Sequence, residues 1–433
     1  MSYGQRLTRD LDRWIATGLV DPANREAILG SIGPAVRGAT ALGALTVLGA
    51  VLLGLSALSF VGANWEAIPP LARFGILLAS LWASLLGSGA AFTHKAPRLG
   101  HALALLGLAL FGAAILLTAQ TFNMTSFRNT AVLIWALAGS VLAWQLGSRP
   151  VLILAAGLGA LWAGLEAANP FVHGSIWLYL PLAAATTALA VRLRSNVSIH
   201  LVALALVGWV SHALFLWADA HAVNHLAIWA SATLVFGALA IVAASLNDRD
   251  IRGAGIIAGW MTVVTLITAF LVQMPLDEGF SSDTSPVGAA YPLLAAPALG
   301  AIIGLVIWRR RAGILRNWDA AGLVTAGLAI AALPQIAAGI ETSLLLRMAV
   351  GGALYAAFTA LILIGERKNS TIVRVCGVSG FVLQTLYVYA RTFEGLLDTA
   401  LFFLVGGLVL FAASFALWQI RKRSRAELTG DGS

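Results

Sequence analysis

Residues 225–245 read HLAIWASATLVFGALAIVAAS, an apolar run of 21 residues without lysine, arginine, aspartate or glutamate. A helix of about 20 residues, rising about 1.5 Å per residue, crosses the hydrocarbon core of a bilayer, which is about 30 Å thick. Because a segment of this composition has no polar face to turn toward water, it predicts a transmembrane helix.

Comparable runs fill most of the chain. Of its 433 residues, 59% are hydrophobic and 11% are charged, whereas soluble domains carry about 25% charged residues. We therefore predict an all-α, polytopic transmembrane helical bundle of about 14 spans. The predicted segments are 40–62, 71–92, 100–120, 130–147, 151–168, 175–191, 199–218, 225–245, 253–273, 290–308, 320–340, 343–364, 371–390 and 396–418.

The basic residues give an independent prediction of orientation. With both termini inside, only Arg73, Arg128, Arg347 and Arg391 fall on the outer side, so 23 of the 27 Lys and Arg residues face inward. Cytoplasmic loops carry such an excess in membrane proteins. One span more or fewer would invert the later loops, and a twelve-span form requires two neighbouring re-entrant segments. The expected location is the cytoplasmic (inner) membrane of a bacterium, multi-pass, with both termini in the cytoplasm.

The amino-terminal segment differs from the rest. We divide the chain into a cytoplasmic helical segment at 1–39, a transmembrane domain at 40–418 and a basic cytoplasmic tail at 419–433. Residues 3–32 predict two short amphipathic helices, the first ended by Gly18 and the second begun by Asp21 and Pro22. The charged first 39 residues lack the apolar stretch of a cleavable signal. The run from Thr40 is then expected to direct insertion.

Several short motifs stand out in the first third of the sequence. They are LDRW at 11–14, GLVD at 18–21, LSFVGANW at 58–65, LAR at 71–73, GAA at 112–114 and AQTF at 119–122. With these motifs the sequence resembles, over residues 5–150, the domain of unknown function 2157 family of predicted bacterial membrane proteins. That resemblance implies an inner-membrane protein and assigns no activity to any residue.

No catalytic constellation is found in the sequence, and we expect no enzyme activity, no cofactor and no metal site. A Walker A loop, an HExxH pair and a GxSxG elbow are all missing. His221 and His225 have the spacing of a zinc pair, although loop histidines are more often solvated. Cys376 is the single cysteine, which excludes an intramolecular disulfide. The net charge of +8 reflects loop arginines, so nucleic-acid binding is not expected.

The polar residues within the predicted spans lie mainly toward the outer side. Polar groups in hydrocarbon are costly and usually face a bundle interior, a partner or water. One interpretation is a polar cavity open to the outside. The alternative is that residues near helix ends reach the headgroups at little cost. The candidate cavity residues are Asn64, Gln120, Glu166, Gln335 and Arg347.

Three further features concern helix packing. Pro334 beside Gln335 predicts a kink that frees the carbonyl of Ile330. Arg347 is expected to pair with Glu341 or Glu394 or to reach the headgroups. Small residues four apart predict close helix approach at Gly255 with Gly259 and at Gly300 with Gly304.

Two functions remain open from the sequence. The first is a small-solute transporter or permease with the polar cavity on its outer side. The second is a non-transporting sensor or scaffold whose amino-terminal helical pair binds a protein partner. The lack of an acidic or basic relay in the middle of the spans favours the second over an ion-coupled pump. The expected partners are the lipid bilayer and, according to the function, a small solute or a protein.

Overall fold

The structure is a computed structural model that describes residues 3–31, 68–123, 128–172, 176–276, 287–339, 344–367 and 371–392, with a few single positions besides. Over these residues the chain is helical, with fourteen α-helices and two short 3-10 turns at Pro22–Asn24 and Met274–Leu276. The helices are α1 Tyr3–Ala16, α2 Arg25–Ser31, α3 Pro70–Thr93, α4 Pro97–Thr121, α5 Thr130–Leu146, α6 Arg149–Ala167, α7 Tyr179–Leu193, α8 Asn196–Ala220, α9 His225–Asn247, α10 Ala254–Leu271, α11 Tyr291–Arg311, α12 Asn317–Gly339, α13 Leu344–Arg367 and α14 Thr371–Thr392.

Ten of these helices are long and apolar enough to cross a membrane: α3, α4, α6 and α8 to α14. Helices α5 and α7 are apolar as well but shorter, with 17 and 15 residues. Each of the twelve predicted segments from 71–92 to 371–390 coincides with one helix to within about four residues. The predicted first segment lies almost entirely, and the last largely, outside the described residues.

The chain divides into two compact units, residues 1–124 and residues 125–433. In the first unit, α1 ends just before Gly18, which has a positive φ of 74°. The side chain of Asp21 accepts a hydrogen bond from the backbone N–H of Ala23 and caps the turn before α2. An ion pair between Arg25 and Asp12, 2.9 Å long, joins α2 to α1.

Helices α3 and α4 of the first unit form an antiparallel hairpin. The hydroxyl of Ser88 donates to the carbonyl of Gly100 across the two helices at 2.8 Å. A Cβ atom at Gly107 would approach the end of the Leu85 side chain to 2.8 Å, so a larger residue there would require Leu85 to move. The hairpin is therefore packed through small residues, as membrane helices generally are.

In the second unit, α6 packs between α5, α7 and α8, and α9 packs against α10, α11 and α12. The largest buried cluster joins α9, α11 and α12 and is built mainly from alanine and valine with one buried tyrosine, Tyr291. Lipid supplies no hydrophobic driving force between helices, so close packing of such side chains holds them together.

Helices α13 and α14 approach each other most closely at glycines. A Cβ atom at Gly377 would lie 2.8 Å from the backbone nitrogen of Ile362, and one at Gly380 would overlap the ring of Phe358. Among the residues that the structure describes, a Cβ atom at Gly300 or Gly304 would meet nothing within 4 Å, so no described helix approaches closely there. Glycine spacing alone does not say which face of a helix meets a neighbour.

Candidate functional site

A pair of buried glutamines links two helices of the second unit. Gln273 follows the end of α10 and Gln384 lies in the second half of α14. Each amide nitrogen donates to the other amide oxygen, and both hydrogen bonds are 2.9 Å long. Gln273 is 6% exposed and Gln384 is 0% exposed. The two amides therefore satisfy each other in place of water, and each keeps one further N–H and lone pair.

Helix α13 borders this pair on another side. A Cβ atom at Gly351 would lie 3.6 Å from the Nε2 atom of Gln384, which places this position of α13 in van der Waals contact with the amide. Arg347 precedes Gly351 by four residues, which places both on one face of α13, one turn apart. The Arg347 side chain is half-buried. We call Gln273, Gln384 and Arg347 the glutamine centre.

The wall beside the glutamine centre is apolar and comes from four helix regions. Leu226, Val272, Leu276 and Leu333 form a buried cluster, against which Leu346 and Val350 pack from α13. Val272, which precedes Gln273, and Leu346, which precedes Arg347, thus belong to one apolar cluster. An amide or guanidinium beside such a wall meets little competing water, which strengthens polar contacts made there.

Pro334 lies within α12, and the helix runs without a break from Asn317 to Gly339. The hydroxyl of Tyr291 on α11 donates to the carbonyl of Ala331 at 2.9 Å. We predicted that the proline frees the carbonyl of Ile330. The carbonyl that accepts from Tyr291 belongs to the next residue, Ala331. Pro334 is buried, whereas the Gln335 side chain is exposed.

Glu166 is fully engaged with the start of α5. Its side chain is 1% exposed and forms an ion pair with the Nε atom of Arg128 at 2.7 Å. Its other oxygen accepts from the backbone N–H of Asn129 at 3.0 Å and from its amide Nδ2 at 3.2 Å. The carboxylate therefore links the end of α6 to the two residues that precede α5. These contacts give Glu166 a structural role.

The structure brings only part of the predicted cavity set near the glutamine centre. Arg347 lies one turn before Gly351, the residue of α13 next to Gln384. Gln120 lies in the first unit with its side chain exposed, and Asn64 lies outside the described residues. Glu341 and Glu394, the predicted partners of Arg347, also lie outside them. The predicted cavity set contained neither Gln273 nor Gln384, although the position of Gln384 within an apolar helix was a signal.

A second polar cluster joins the carboxyl-terminal ends of α9 and α11. Arg309 is 8% exposed and pairs with Asp248 at 2.8 Å. Its neighbour Trp308 lies beneath the guanidinium of Arg249, 5.0 Å from the ring centroid. Sequence reasoning treated these arginines as topology determinants only, whereas Arg309 also holds two helices together.

His221 lies just after α8, and His225 is the first residue of α9. The Nδ1 atom of His221 is 2.7 Å from the carbonyl oxygen of Trp217, one turn earlier. Among the described residues no group of three or more potential metal ligands is found.

Comparison with known proteins supports the expected family. Residues 12–152 match the model of the family described as predicted membrane protein, domain of unknown function 2157. No curated protein and no solved structure matches the chain. The amino-terminal third is thus similar to a family of predicted membrane proteins, and with ten candidate spans the chain is a multi-pass membrane protein.

Proposed function

We propose that the protein is a permease for a small polar solute, and that the solute binds at the glutamine centre. The observation that carries this proposal is the reciprocal pair of Gln273, just after the apolar helix α10, and Gln384, within α14, both buried. Polar side chains at such positions are costly to bury and commonly mark substrate pathways. Two amides offer both donors and acceptors to a solute that separates them.

The two hydrogen bonds of the pair contribute only a small free energy, so the pair can open. Hydrogen bonds between membrane helices contribute about 0.6 kcal/mol each on average. Two such bonds then contribute about 1.2 kcal/mol, so the closed pair is favoured only about eightfold. A solute that carries both a donor and an acceptor, such as an amide or a hydroxyl group, would replace both bonds. Arg347, one turn away on α13, would favour solutes with a negative or partly negative group.

The proposed topology has fourteen spans, with both termini in the cytoplasm and the protein in the bacterial inner membrane. In this topology Gln273, Gln384 and Arg347 all lie in the outer half of their spans. A cavity built on them opens to the outside. Asn64, Gln120 and Gln335 stay predictions as further lining residues. We propose no enzyme activity, since the proposed site consists of two amides and a guanidinium.

A swelling assay tests the permease. Proteoliposomes of the full chain are mixed with hyperosmotic acetamide, urea, glycerol or sodium acetate, and light scattering follows solute entry. We expect at least one solute to enter faster than in protein-free liposomes. Gln384→Leu should abolish the gain, whereas Gln145→Leu, which changes an exposed glutamine of α5, should retain it. Entry at the protein-free rate for every solute would contradict the proposal.

A scaffold or sensor is the second candidate, favoured by the amino-terminal helices. The ion pair of Arg25 with Asp12 and the buried Leu11 hold α1 and α2 together, while Trp14 and Leu19 are exposed. Such a pair, placed in the cytoplasm, suits a protein partner. Deleting residues 1–33 discriminates the two functions: a permease keeps its swelling activity, whereas a scaffold loses its cellular effect while remaining in the membrane.

A further inference from the structure

A groove of about 600 Å³ runs between α5 and α7. The residues that line it recur every three or four positions on both helices, so each helix contributes one continuous stripe. We call this feature the α5–α7 groove. Its lining residues are Leu133, Leu137, Ser140, Val141 and Trp144 from α5, and Leu178, Pro181, Leu182, Ala185, Ala188, Leu189 and Arg192 from and just before α7.

The length of the groove fits one leaflet of a bilayer. Leu133 and Trp144 are eleven residues apart, as are Pro181 and Arg192. At about 1.5 Å per residue each stripe is roughly 16 Å long, about half of the hydrocarbon core. An acyl chain that lies along these stripes would therefore extend from the headgroup level toward the bilayer centre.

The wall of the groove suits a hydrocarbon chain. Ser140 carries its only hydroxyl, which is already used because it donates to the carbonyl of Ala136 at 2.8 Å. The remaining wall is leucine, valine, alanine and proline, with Trp144 at one end. A polar ligand would find no partner along this wall, whereas an acyl chain gains dispersion contacts with two helices.

One end of the groove is basic. Arg192 belongs to the lining, and Arg194 caps α7 two residues later. The Nε atom of Arg149, at the start of α6, donates to the carbonyl of Leu193 at 2.6 Å, which fixes this guanidinium at the same end. All three arginines are exposed.

No carboxylate of these helices balances that charge. Glu166 is the single acidic residue between positions 130 and 200, and it lies at the opposite end of α6, paired with Arg128. Basic pockets between membrane helices on the cytoplasmic side bind anionic lipid headgroups, and arginine forms charge-assisted hydrogen bonds to phosphate. Trp144 supplies the aromatic ring that typically sits at headgroup level.

We propose that the α5–α7 groove is a binding site for one anionic phospholipid of the inner leaflet. One acyl chain lies between the two stripes and the headgroup phosphate lies among Arg149, Arg192 and Arg194. The inference does not depend on the permease activity, because the groove and the glutamine centre use different helices.

The test uses the purified full chain in detergent, with dioleoyl phosphatidylglycerol and dioleoyl phosphatidylcholine as probes. Native mass spectrometry counts bound lipid, and thermal unfolding measures stabilisation. We expect phosphatidylglycerol to bind and raise the unfolding temperature, and phosphatidylcholine to do so much more weakly. One arginine near an anionic headgroup is worth about a fivefold change in affinity. Arg192→Gln should therefore weaken phosphatidylglycerol binding about fivefold.

Matched variants separate this site from general attraction. Arg311→Gln removes an exposed arginine of α11 and should leave binding unchanged, as should Ala321→Trp on the exposed side of α12. Ala185→Trp fills the groove and should abolish binding, and Ala188→Leu provides a milder filling if that variant does not fold. Dihexanoyl phosphatidylglycerol and inorganic phosphate, which lack a long chain, should not compete.

Three results would overturn the proposal. Equal binding of the two dioleoyl lipids would remove the role of the headgroup. Equal losses from Arg192→Gln and Arg311→Gln would indicate unspecific attraction. Unchanged phosphatidylglycerol binding in folded Ala185→Trp and Ala188→Leu would mean that the lipid acyl chain does not lie in the α5–α7 groove.

Discussion

Gln273 and Gln384 exchange two hydrogen bonds of 2.9 Å although 111 residues separate them in the chain. The pair joins the end of α10 to α14. Few other contacts link these two helices in the described residues, so the pair is a principal connection between them.

Removing one amide of this pair should cost more than removing both. Gln384→Leu leaves the buried amide of Gln273 without its partner, which typically costs about 1–3 kcal/mol. Changing both residues to leucine should recover part of that loss. Thermal unfolding in detergent of the two single variants and the double variant measures the coupling. Strictly additive losses would show that the amides do not stabilise each other.

The buried carboxylate of Glu166 makes a second prediction. Arg128→Ala removes its ion-pair partner and leaves a negative charge that is 1% exposed. We expect lower thermal stability, with partial recovery when Glu166→Gln is added, because the neutral amide needs no cation. Arg311→Ala, at the exposed end of α11, serves as the control and should be nearly silent. Equal unfolding temperatures for Arg128→Ala and Arg311→Ala would contradict the structural role of Glu166.

Glycines of α13 and α14 should respond in opposite directions to the same substitution. Gly380→Ala places a methyl group against the ring of buried Phe358, and such overpacking typically costs about 1–3 kcal/mol. Gly352→Ala meets nothing within 4 Å and should be neutral or stabilising by up to about 1 kcal/mol, since alanine favours helix. Unfolding temperatures of the two variants give the comparison. A stable Gly380→Ala protein would mean that α13 and α14 are farther apart.

Reporter fusions test the proposed orientation. Alkaline phosphatase is active only outside the cytoplasm. It should be active when fused after Asp283 and silent when fused after Arg311 or at Ser433. An active fusion at Ser433 would mean an odd number of spans.

The apolar pattern was enough to place α3 to α14, because a membrane helix must keep an apolar stretch of nearly fixed length. It could not pair Gln273 with Gln384, since hydrophobicity says nothing about which helices are neighbours. For the same reason the sequence indicated the charge of Arg309 and not its ion-pair partner. Its ion pair with Asp248 depends on the contact of α9 with α11. Arg347 was selected from its depth alone, and the structure adds that Gly351, one turn later on the same helix, lies next to Gln384.

We propose that the glutamine centre opens to the outside of the membrane. Labelling of a single cysteine at position 384 tests it most directly, in full-length Cys376→Ala protein in sealed right-side-out vesicles. We predict that Gln384→Cys reacts with a membrane-impermeant maleimide added outside, faster than Ala230→Cys, whose position is equally buried. Equal, negligible labelling of both cysteines would contradict an outward-opening site.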